Sequence, residues 1–121
     1  MNEARRRWYQ QHEASWLRLA ATLRAEGWEA QLTSSAAPVQ LEGALPGGER
    51  FYFRSRHADA SLGIGGDDPA DLPEWEGSES HQEAGYLPAA AGEAIIRRLL
   101  RRYLGEHRRA GRADQNGDRP H

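Results

Sequence analysis

A chain of 121 residues with 38% hydrophobic residues fits one modest globular domain. Its net charge of −2 selects no partner class, and the absence of Cys excludes disulfides, thiolate metal sites and a Cys nucleophile. No run approaches the ~20 consecutive apolar residues of a membrane span, and the start MNEARRRWYQQHEASW has no apolar stretch behind it to make a secretory leader. A cytoplasmic chain is therefore expected. All 16 basic residues are Arg, which fits coding in a GC-rich bacterial genome more simply than a surface selected for bidentate contacts.

Residues 3–26 are expected to form a helix, with Tyr9, Trp16, Leu19, Ala20 and Leu23 at helical spacing and Gly27 as its stop. Trp16 and Trp28 are expected in the core, and Trp8 half exposed near the helix start. Four strands follow by period-two alternation. Their inward residues are Trp28, Ala30 and Leu32; Val39, Leu41, Gly43 and Leu45; Phe51, Phe53 and Ser55; then Ala58, Ala60, Leu62 and Ile64. Short connections make the sheet an antiparallel meander. For the second hairpin, a five-residue loop is expected to pair Leu45 with Phe51, Gly43 with Phe53 and Glu42 with Arg54. For the third, a two-residue turn at His57-Ala58 sets Arg56 opposite Asp59.

Residues 66–87, GDDPADLPEWEGSESHQEAGYL, show no period and read as one long acidic loop pinned by Leu72, Trp75 and Tyr86. Pro88 opens a second helix that is expected to end near Tyr103 or Leu104, with Gly105 as stop. In IIRRLLRRYL, Ile95, Ile96, Leu99, Leu100, Tyr103 and Leu104 share one half of the wheel, and Arg97, Arg98, Arg101 and Arg102 the other. That apolar half is the largest available cover for the sheet, so it is expected indoors. The expected architecture is α+β, in the order α-β-β-β-β-α. A four-stranded antiparallel meander carries both helices on one face, in a single domain over 1–105 with a disordered polar tail over 106–121.

Chemistry is thinly signalled. GIGGDDPAD lacks the helix start of a phosphate loop, and its acids would repel an anion. The acids after it do not follow EF-hand spacing, so no metal is expected. No cofactor motif appears, and no nucleophile, base and acid can be assembled from the scattered Ser and His; a non-enzyme is expected. The clearer feature is segregation: residues 67–83 hold seven acids and no Arg, while 97–112 hold seven Arg and one acid. This points to a small protein-binding module of accessory, adaptor or immunity type. Its contact would be the acidic segment, through Asp67, Asp68, Asp71, Glu74, Trp75, Glu76 and Glu79. The alternative is nucleic-acid binding through a basic face of Tyr52, Arg54, Arg56, Arg97, Arg98, Arg101 and Arg102.

Overall fold

The side chain of Asn2 accepts a hydrogen bond from the Arg5 N–H at 2.7 Å, and α1 (Glu3–Ala25) starts from this cap. Its inward face is His12, Trp16, Leu19, Ala20 and Leu23. At the other end Gly27 takes φ 97°, and the Trp28 N–H reaches back to the Leu23 carbonyl at 3.0 Å, which closes the helix where the sequence predicts. The structure is a computed structural model and describes residues 2–66 and 72–117, with side chains through His107.

The sheet runs β1 (Glu29–Ser35), β2 (Val39–Ala44), β3 (Arg50–Arg56), β4 (Asp59–Ile64) and β5 (Trp75–Ser80), each strand antiparallel to the next. It has five strands rather than the expected four. Central rows show the faces: Leu32, Leu41, Phe53, Leu62 and Gly77 lie inward in register, and Gln31, Glu42, Tyr52, Gly63 and Glu76 lie outward. The fifth strand falls inside the segment expected as a loop. Two of its three inward residues are Gly77 and Glu79, so alternation carries no hydrophobic signal. A Cβ at position 77 would sit 2.6 Å from the Trp75 ring and 3.2 Å from Leu99, and Glu79 is admitted inward because Arg98 meets it.

The second hairpin also differs from expectation. Gly43 pairs with Phe51, Leu41 with Phe53 and Gln40 with Arg54, leaving Glu42 opposite Tyr52. The connecting residues are Leu45–Glu49, because the Leu45 N–H donates to the Glu49 carbonyl at 2.8 Å and Leu45 turns into the core. The slip is by an even number of residues, so every side chain keeps its expected face. Arg56 faces Asp59 as predicted.

A 3₁₀ turn at Ala84–Tyr86 leads to α2 (Ala89–Gly117). Pro88 stands immediately before the helix, where its carbonyl accepts from the Gly92 N–H at 2.9 Å. The helix passes Gly105 and covers most of the expected tail; 118–121 lie outside the described residues. Gly105 does not take a positive φ, and a glycine costs only ~1 kcal/mol against Ala within a helix. Both helices lie on the inner face of the sheet. Trp16 packs against Phe53 with ring centroids 6.0 Å apart, and Ile95, Ile96, Leu99 and Tyr103 are buried with Phe51, Leu62 and Ile64. The hydrophobic half of α2 is thus spent inside, apart from Leu104, and no described helix is long and apolar enough to cross a membrane.

Candidate functional site

The segregated charges meet each other where the structure describes them. Arg98 on α2 makes a two-pronged contact with Glu79 on β5, Nε to Oε2 at 2.9 Å and Nη2 to Oε1 at 2.8 Å. Arg97 does the same to Glu26 at the end of α1, at 3.0 and 2.7 Å, and its Nε donates to Glu93 at 3.0 Å. The guanidiniums hold both carboxyls below their usual range, chiefly through these hydrogen bonds. These pairs fasten α2 to β5 and to α1. Trp75 is half buried: its ring lies edge-on to Tyr103 with centroids 5.6 Å apart, Arg102 lies 5.8 Å over it, and its Nε1 donates to Glu106. It works as a plug between β5 and α2. Burial, first, and the nearby Glu49 and Glu74 push the Tyr103 phenol up. Arg101, Arg102, Glu74 and Glu76 remain exposed. Asp67, Asp68 and Asp71 lie outside the described residues. Among those described, no cluster of His, Asp and Glu could hold a metal ion.

The outer sheet face carries the rest of the expected basic site. Tyr52 and Arg54 stand there on neighbouring rows, and Arg56 is at its margin. Each has acidic or neutral company: Glu42 and Glu76 in the row of Tyr52, Asp59 opposite Arg56, and Gln40 and Ser61 beside Arg54. The Nε of Arg54 is shielded from solvent and has no hydrogen-bond partner among the described residues. A cleft of about 450 Å³ at the β1 end is similarly mixed, with Arg24 and Arg50 facing Glu29 and Glu42. The arginines of the outer face and those of α2 lie on opposite sides of the sheet and do not form one surface.

A third surface has no counterpart among the expected sites. Trp8, Tyr9 and His12 lie within one turn of α1, and Tyr86 comes to them from the 3₁₀ turn. Trp8 stacks on His12 with centroids 4.9 Å apart, and Tyr86 lies 6.1 Å from Trp8 and 6.3 Å from Tyr9. Trp8 and Tyr86 are each 46% exposed, and Arg5, Arg6 and Arg7 precede them on the same helix. The neighbouring Tyr86 phenol, first, and desolvation hold the Tyr9 phenol above its usual range.

The support beneath this surface is fixed from several directions. The His12 Nε2 donates to the Ser35 carbonyl at 2.6 Å. The buried Ser55 hydroxyl donates to the Ala84 carbonyl at 2.7 Å, the Ala37 N–H to Gly85 at 2.6 Å, and the Trp16 indole to Leu87 at 2.8 Å. Tyr86 therefore projects from a backbone held on both sides. Clefts of about 330 and 370 Å³ lie near the aromatic rings, one bounded by Trp8, His12 and Pro88, the other by Arg6, Tyr9 and Ser35. The signal in the sequence is the Trp8-Tyr9-His12 spacing; nothing local ties Tyr86 to it. No family model matches the chain, and neither a curated protein nor a solved structure matches it.

Proposed function

We propose that this chain is a small non-enzymatic protein-binding module that docks an acidic partner surface on Trp8, Tyr9 and Tyr86. The supporting observation is two large aromatic side chains left half in water on a rigidly held backbone. Trp, Tyr and Arg are the residues that dominate binding energy at protein interfaces. Rings whose positions are fixed beforehand lose little freedom on association. Arg5 and Arg6 border the patch and outnumber Glu13, which lines the same cleft as Arg6 and Tyr9, and this balance steers an acidic partner toward it.

The acidic segment is a weaker candidate for the main contact, since Glu79 is occupied by Arg98 and Trp75 by Tyr103 and Glu106. Nucleic-acid binding on Tyr52, Arg54 and Arg56 has less support, because carboxylates share that face and would meet phosphates. The test is a photo-crosslinking amino acid placed at position 8, 86 or 17 in cells that make the protein. Leu17 is the control, exposed on the same helix away from the patch. Positions 8 and 86 are expected to trap the same discrete protein, and position 17 none. No adduct at 8 and 86, or the same adducts at 17, overturns the reading.

A further inference from the structure

We propose that the outer edge of β5 takes an extended acidic peptide segment by strand addition, on a surface separate from the aromatic patch. The hydrogen-bond phase of the sheet carries the argument. The His81 N–H donates to the Ala58 carbonyl at 2.9 Å, one step beyond the Asp59–Ser80 pair. Bonded pairs alternate along an antiparallel ladder, so β4 is bonded to β5 at Ala60–Glu79, Leu62–Gly77 and Ile64–Trp75. The N–H and C=O of Glu76, Ser78 and Ser80 therefore point away from the sheet, and among the described residues no hydrogen bond engages them.

At the opposite edge one outward carbonyl, that of Ala30, is capped by the Arg24 guanidinium at 2.7 Å, and β1 is bulged between Leu32 and Ser34. Natural sheets blunt free edges with Pro, bulges or charge. β5 has no Pro, its pairing with β4 runs without a register shift, and its one outward-facing charge is Glu76. Small residues at 77, 78 and 80 leave the backbone approachable.

The chemistry of the incoming strand follows from what flanks the edge. On the inner side a groove of about 430 Å³ is lined by Glu79, Arg98, Arg101, Arg102 and Gly105. Arg98 is bound to Glu79, whereas Arg101 and Arg102 are exposed. A sixth strand would direct every second side chain into this groove. Carboxylates there would meet two arginines, while the alternate residues would lie beside Ser78 and Ser80 on the outer face. Strand addition takes affinity from main-chain hydrogen bonds and specificity from alternate side chains. A second copy of this chain fits less well, because its own Arg98, Arg101 and Arg102 would come to the same seam.

The probe is a fluorescein-labelled peptide of four Thr-Glu repeats, read by anisotropy on the full chain at ~50 mM salt, where screening is weak. Controls are four Pro-Glu repeats, with the same charge and half the N–H groups removed, and four Thr-Lys repeats. Saturable binding is expected for Thr-Glu alone. Ser78→Pro is expected to abolish it, since the N–H at 78 faces outward and Pro is tolerated on such an edge. The double variant Arg101→Glu/Arg102→Glu is expected to weaken it about tenfold or more, and Trp8→Ala to leave it unchanged. Equal binding of the Pro-Glu peptide would show attraction by charge alone and overturn the proposal. So would no saturation with Thr-Glu, or a wild-type dimer that Ser78→Pro dissociates, since the occupant would then be a second copy. Unchanged crosslinking at position 8 in the Ser78→Pro protein separates failure here from failure of the aromatic docking surface.

Discussion

Gly92 shows how one residue sets the position of the aromatic surface. A Cβ at this position would lie 2.2 Å from the Trp16 ring. Trp16 cannot readily give way, because its other side packs on Phe53 and its indole N–H is bonded to the Leu87 carbonyl, next to Tyr86. In a solvent-facing helical position Gly→Ala would stabilise by up to ~1 kcal/mol. Here overpacking of ~1–3 kcal/mol opposes that gain. Gly92→Ala is expected to lower the unfolding free energy by about 1–2 kcal/mol in urea titration; a stabilised variant would show that Trp16 is not clamped as described. The same clamp explains why Tyr86 is a surface residue with a fixed position. Its neighbours Ala84, Gly85 and Leu87 each accept a hydrogen bond from a distant part of the chain, Ser55, Ala37 and Trp16.

At the scale of elements, β5 and α2 depend on each other. β5 has little hydrophobic content, and its inward positions work because Leu99 fills the space over Gly77 and Arg98 meets Glu79. This is why the strand was illegible in the sequence: its pattern makes sense only beside a helix roughly twenty residues further on. The strands with apolar inward rows, from Ala30 to Ile64, were legible with their faces, since alternation alone assigns a face. Their register was less so, because Leu45 could end a strand or start a turn. The extension of α2 past Gly105 has the opposite cause: EHRRAGRADQNG carries no large apolar residue, so it leaves no hydrophobic period to read. The Glu79–Arg98 contact has a consequence in acid. Glu79 titrates below its ordinary range when folded, so the unfolded chain binds its proton first as pH falls. Its contribution is present above the usual carboxylate range, ~4.3, and is lost as pH falls through the lowered folded value. Glu79→Gln is expected to destabilise the protein at pH 7 and to approach the wild type near pH 3, measured by urea unfolding at both. An equal loss at both pH values would mean that the carboxylate charge contributes nothing.

Over the whole molecule, the sheet divides the surface into distinct regions. The two helices cover one side, and a mixed, mostly polar strand face forms the other. The charge asymmetry visible in the sequence, acids at 67–83 and arginines at 97–112, resolves in part into internal fastening between β5 and α2. Arg101 and Arg102 are left beside the outer edge of β5, which pairs with no strand among the described residues. The aromatic surface could not be read from the chain because Trp8 and Tyr86 are 78 positions apart and meet only after the sheet and α2 have placed the 3₁₀ turn against α1. The proposed function and the strand-edge site ask for acidic partner chemistry at two separate places, which allows one extended partner or two different ones. The most direct measurement takes the protein trapped at positions 8 and 86 and titrates it by calorimetry against wild type and the double variant Trp8→Ala/Tyr86→Ala, both first shown to unfold at the same urea concentration. Interface anchors of this kind are worth ~2 kcal/mol or more each, ~4 kcal/mol for the two, so affinity is expected to fall by roughly several hundredfold. Equal affinity for the two proteins would contradict docking on the aromatic surface.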